Sequence, residues 1–138
     1  MIDLNRLQKQ LVIHEGLELK PYRCSADKLT IGVGRNIQEV GITEEEAMVL
    51  LANDIARCAG ECTREFPWFL GLTPLRKEAV INLVFNMGMA TFKKFKKTIA
   101  YLEAGNFELA GTELLDSNYA RQVGQRSQDV ANMLADGE

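Results

Sequence analysis

Residues 13–34 read IHEGLELKPYRCSADKLTIGVG. The period of the chain changes inside this stretch. Before it, Leu4, Leu7, Leu11 and Val12 recur at helical spacing behind Asp3, a good N-cap, and Gly16 stops the helix. After it, Leu17, Leu19, Tyr22, Leu29, Ile31, Val33 and Ile37 fall in near alternation among polar and glycine residues. Ser25-Ala26-Asp27-Lys28 has the composition of a turn. The expectation is a helix over about 3–14 and then a β-hairpin or three-stranded meander, which forms a small lobe over about 14–45.

Helical signals return at Thr43-Glu44-Glu45-Glu46, which has capping-box form. Ala47, Leu50, Leu51 and Ile55 follow at helical spacing. Thr73-Pro74 is an N-cap with proline at the first helical position. The helix behind it, through Ala79, Val80, Leu83, Val84 and Phe85 to Gly88, is apolar on most sides and reads as the buried central helix. Short helices are expected at about 92–104, 106–116 and 120–135. The fold class is therefore α+β and mostly helical. A small N-terminal β lobe sits beside a larger helical lobe (about 46–138, with the helix 3–14), and a cleft between them is the expected site. The whole chain, 1–138, reads as a single domain, with no internal repeat and no linker.

Composition narrows the function. Net charge is −3, whereas a nucleic-acid binder is usually basic, so no nucleic-acid partner is expected. Lys93, Lys94, Lys96 and Lys97 cluster, and Arg76-Lys77 forms a second basic pair; each is a solvated face or a patch for an anionic polymer. No apolar run approaches the ~18–20 residues of a membrane span. MIDLNRLQKQL has no basic segment followed by an apolar core, so no signal peptide is expected. Cys24, Cys58 and Cys62 are an odd number without framework spacing. Cys58 and Cys62, four apart on one helical face, read as packing residues. With one histidine and no Cys-x-x-Cys, neither a metal nor a cofactor is expected.

Three polar side chains bracket the hairpin. Glu15 precedes it, eight residues separate Glu15 from Cys24, and five separate Cys24 from Thr30. A carboxyl, a thiol and a hydroxyl around one small sheet can face one point, although a glutamate at a helix end is more often simply solvated. This spacing matches, position for position, the motif of the phage lysozymes and endolysins of glycoside hydrolase family 24, which the chain resembles. The segment RKEAVINLVFNMG (76–88) resembles that family's central helix, and SNYARQVGQR (117–126) carries Arg126 where the family has an arginine near the catalytic glutamate.

The resemblance implies a lysozyme-like fold and hydrolysis of the β-1,4 bond between N-acetylmuramic acid and N-acetylglucosamine in peptidoglycan. It implies Glu15 as the acid that protonates the leaving oxygen. A helix C-terminus disfavours negative charge, which suits a group that must keep its proton. Thr30 would help to hold the attacking water. Cys24 stands where many relatives have aspartate, and a free thiol is mostly neutral at pH 7, so it either positions water or acts as a thiolate. Asp27 is a stand-in base or, more simply, a turn residue. Asn86, Tyr119 and Arg126 are the expected substrate-binding residues. Arg35 replaces a histidine common in relatives. A Cys24 disulfide to Cys58 or Cys62 would be a route to regulation. The implied enzyme is a monomer made in the host cytoplasm, with a holin giving it access to the wall, and it acts on glycan strands in the periplasm. A lytic transglycosylase or a non-catalytic peptidoglycan-binding module are the alternatives.

Overall fold

A computed structural model describes residues 1–138. The chain divides into two compact units, Met1–Val49 and Leu50–Glu138.

In the first unit, α1 (Leu4–Glu15) starts as expected, with the Asp3 carboxylate accepting the Arg6 N–H at 3.0 Å. It ends at Gly16, whose N–H donates to the Val12 carbonyl. No residue of α1 is buried, so the stripe of Leu4, Leu7 and Leu11 faces solvent. Three strands follow: β1 (Glu18–Arg23), β2 (Leu29–Gly32) and β3 (Arg35–Asn36). They form an antiparallel sheet in sequence order. Pro21 has no N–H to give a ladder, and its strand is accordingly an edge strand, with a register shift between Glu18 and Tyr22. Thr30 sits on the central strand, paired with Tyr22 on one side and Asn36 on the other, and is buried.

α2 (Glu44–Glu65) is one continuous helix through the boundary at residues 49–50. Its capping box is reciprocal. The Thr43 hydroxyl accepts the Glu46 N–H at 3.1 Å, and the Glu46 carboxylate accepts the Thr43 N–H at 2.9 Å.

The second unit continues with a short 3-10 turn (Phe69–Gly71), then α3 (Pro74–Met87), α4 (Met89–Phe92), α5 (Lys96–Ala104), α6 (Phe107–Leu115), α7 (Asn118–Val123) and α8 (Gln125–Asp136). Ala79, Val80, Leu83 and Val84 of α3 are buried, as the apolar run predicts, while Phe85 is exposed. They pack with Phe66, Phe92, Leu102, Leu114, Val130 and Leu134 into one core. Cys58 and Cys62 belong to it, which bears out their reading as packing residues.

Two expected helices are each broken. The segment 92–104 splits because Lys93–Phe95 leave the helix, so that Phe92 and Phe95 can both turn inward; their rings stack with centroids 6.5 Å apart. The segment 120–135 splits at Gly124, at φ 60 and ψ −120, a backbone region that only glycine occupies comfortably. Arg76 is also not the surface cation its sequence position suggests. Its Nε donates to the Leu134 carbonyl at 2.8 Å, its Nη2 donates to the Ala135 carbonyl at 3.2 Å, and its guanidinium lies over the Phe107 ring at 3.8 Å. It ties α3 to the end of α8.

Candidate active site

Glu15, Cys24 and Thr30 all fall in the first unit, and Asn86, Tyr119 and Arg126 in the second. The sheet brings Cys24 and Thr30 together. Cys24 leaves β1 into a turn that is closed twice, by the Cys24 N–H on the Lys28 carbonyl at 3.0 Å and the Asp27 N–H on the Cys24 carbonyl at 2.8 Å. Asp27 takes a left-handed conformation, φ 59, and its side chain is exposed. This is the turn reading of Asp27, since aspartate tolerates that region better than most residues.

Hydrogen bonding from the Lys28 backbone and then the Ala26 backbone, with the Thr30 hydroxyl, holds the Cys24 thiol below its ordinary value of 9.0. Thr30 has a single hydroxyl proton, donated to the Lys28 carbonyl at 2.8 Å. The same proton can turn to a thiolate, so Thr30 serves one of two acceptors at a time. The other two cysteines behave oppositely. Burial raises the Cys58 thiol and pushes Cys62 up to about 12. All three thiols are free in this structure.

Glu15 is the last residue of α1, with its side chain in solvent reach. Its carboxyl lies beside Gly34 in the β2–β3 turn, where a β-carbon on that glycine would crowd it. That turn is fastened by Arg35, which pairs bidentately with Glu46, at 2.7 Å to Oε1 and 2.6 Å to Oε2, and also donates to the Gly41 carbonyl at 3.2 Å. Hydrogen bonds from Arg35 and the Thr43 N–H draw the Glu46 carboxyl down to about 2. Neither this clamp nor Gly34 is visible in the sequence as part of the site. The capping box was the available signal, because it fixes where Glu46 stands.

In the second unit, the Tyr119 hydroxyl donates to Asn86 Oδ1 at 2.7 Å. Both line a cavity of about 700 Å³ shared with Met87, Lys94, Phe95 and Gln122. Burial raises the Tyr119 hydroxyl above its usual value, with Arg126 acting in the opposite sense. Asn86 is thus a partner of Tyr119; the cap at this end of α3 is the Gly88 N–H on the Val84 carbonyl. Arg126 donates through Nε to Asn82 Oδ1 at 2.9 Å and through Nη2 to the Asn82 carbonyl at 3.4 Å. Asn82, unremarkable in sequence, is what fixes Arg126. Lys93 pairs with Glu65, whereas Lys94, Lys96 and Lys97 remain exposed. No three His, Cys, Asp or Glu side chains converge as a metal site would require.

The sequence model of the family described as Phage lysozyme matches residues 12–132, which include Glu15, Cys24, Thr30, Asn86, Tyr119 and Arg126. This chain belongs to the phage lysozyme family. It is 33% identical over 127 residues to an endolysin of Acyrthosiphon pisum secondary endosymbiont phage 1, covering 87% of this chain and 84% of that one. It is 24% identical over 164 aligned positions to a probable T4-type lysozyme 2 of Dictyostelium discoideum, covering 97% and 96%. It is also 29% identical over 110 residues to an endolysin of Bacillus phage B103, covering 75% of this chain and 41% of that one. The protein is thus a lysozyme-type endolysin of the glycoside hydrolase class. No helix in it is long and apolar enough to cross a membrane.

Proposed function

We propose that this phage lysozyme is a muramidase, cleaving the β-1,4 bond between N-acetylmuramic acid and N-acetylglucosamine to break down the bacterial wall. Glu15 donates its proton to the leaving glycosidic oxygen. Cys24, in the place of an aspartate, acts from the opposite side with Thr30 to hold the attacking water and draw off its proton. What supports this reading above all is the phage lysozyme match, which spans Glu15, Cys24 and Thr30, and the surroundings of Cys24 are in keeping with it. The half-buried Cys24 thiol stands beside Thr30 in a tight turn, and hydrogen bonding from that turn favours its anionic form. A thiol that merely packed would be raised by burial, as Cys58 and Cys62 are.

Asn86 and Tyr119 contact substrate along the cavity of about 700 Å³. Arg126, held by Asn82, adds a fixed cation to the binding surface. The chain works as one lysozyme-like domain, 1–138, and as a monomer on glycan strands. It is made in the host cytoplasm and reaches the periplasmic face of the wall through a holin.

The test is release of soluble muropeptides from purified peptidoglycan by wild type and Glu15→Gln. The glutamine is isosteric and keeps the fold but has no proton to give, so turnover should fall by about 10³-fold or more. Undiminished release by Glu15→Gln, or no release by wild type, would remove the proposal.

A further inference from the structure

The glycine at position 34 has a neighbour that the other turn glycines lack. A β-carbon built on Gly34 would stand 2.8 Å from Glu15 Oε2, 3.1 Å from its Cδ and 3.2 Å from its Cγ. Gly32, the last residue of β2, has a similar positive φ, +72 against +65, and would meet nothing within 4 Å. The need for glycine at position 34 is therefore double. The positive φ asks for it, as at 32, and so does the carboxyl standing where its β-carbon would point.

The turn has little freedom to yield. Ile31 and Arg35 are paired across it in the β2–β3 ladder. Arg35 is held by the bidentate pair to Glu46 and by the Gly41 carbonyl. Glu46 is itself locked into the capping box of α2 by Thr43. The exposed Glu15 side chain is the softer partner in this contact. Any methyl placed at position 34 is relieved by displacing the carboxyl, at little cost to folding.

We propose that Gly34, held in place by the Arg35–Glu46 clamp, is a positioning residue that sets where the Glu15 carboxyl presents its proton. The proposal rests on the reading of Glu15 as the acid. It assigns Gly34 no contact with substrate. The Glu15 carboxyl occupies the space that a side chain at position 34 would take. Proton transfer demands close geometry, and a displacement on the order of 1 Å can cost about 10²-fold in rate.

The experiment is muropeptide-release kinetics across pH for wild type, Gly34→Ala, Gly32→Ala and Glu15→Gln, with the melting temperature of each. Both alanine variants put a side chain at positive φ, and both should melt at lowered temperatures. Gly34→Ala should lose about 10²-fold in kcat with KM nearly unchanged. The alkaline limb of its kcat–pH profile, set by loss of the acid's proton, should move. Gly32→Ala should keep kcat within a few-fold and leave that limb in place. Equal losses in the two alanine variants, or wild-type kcat and pH profile in Gly34→Ala, would overturn the role of Gly34 while Glu15→Gln remained inactive. Full turnover by Glu15→Gln would instead overturn the reading of Glu15 as the acid and this inference with it.

Discussion

Cys24 and Glu46 are the two side chains whose ionisation the fold changes most usefully. Cys24 is lowered by hydrogen bonding from its own turn, so its thiolate forms at a lower pH than in the unfolded chain. Thiolates react with iodoacetamide and thiols do not. Native protein should therefore be alkylated at Cys24 alone, with half-maximal rate below pH 9.0, while Cys62, raised to about 12 in the core, stays unmodified until the protein unfolds. Peptide mapping reads this directly, and preferential labelling of Cys62 would contradict it. For Glu46, the folded value of about 2 lies below the ordinary 4.5. A depressed carboxylate contributes stability that is fully present above its unfolded value and lost as pH falls through its folded one. Wild type should thus melt above Glu46→Gln at pH 6, and the gap should close between about pH 4.5 and 2. A gap independent of pH would mean that the Arg35 clamp is not what holds Glu46. The motif residues were legible at this scale because their spacing is local. Gly34 was not, since its role comes from a carboxyl nineteen positions away in the chain, brought to it by the end of α1.

Among the elements, those with strong local punctuation matched their sequence signals. Asp3, Thr43 and Thr73-Pro74 each begin a helix where the capping chemistry says one should begin. The central helix was legible because a clear N-cap and proline open α3 and the apolar run Ala79, Val80, Leu83, Val84 follows at helical spacing. The breaks at Lys93–Phe95 and Gly124 were not. Aromatic packing makes the first, and in the second a lone glycine within a helical pattern gives no direction. Gly111 of α6 shows a related kind of hidden constraint. A β-carbon there would meet the Ala131 carbonyl of α8 at 2.9 Å, so these helices cross with backbone nearly touching. Alanine has the better helix propensity, yet Gly111→Ala should destabilise the protein by about 1–3 kcal/mol through overpacking. Urea unfolding measures this, and an unchanged or raised midpoint would show that α8 can move aside.

Across the molecule, burial is distributed very unevenly. Within Met1–Val49, Thr30 is the one fully buried residue, whereas Leu50–Glu138 encloses a continuous core from Cys58 to Leu134. Regions with few buried apolar contacts open at low free-energy cost. Amide hydrogen exchange should therefore be fastest in α1 and β1 and slowest in α3 and α8, with protection in those helices approaching that of global unfolding. Uniform protection over both units would contradict this. Composition and pattern gave the class of fold and the order of its parts. They did not reveal that the proposed catalytic residues stand on the thinly buried unit, because that follows from how many side chains pack around each element.

The most direct measurement is digestion of peptidoglycan in ¹⁸O-labelled water, with the released muropeptides read by mass spectrometry. A muramidase that protonates from Glu15 and directs water from Cys24 and Thr30 must place one ¹⁸O at each new reducing end, and Glu15→Gln must place almost none. Anhydro-muramic ends without the label would contradict the account and make this phage lysozyme a lytic transglycosylase.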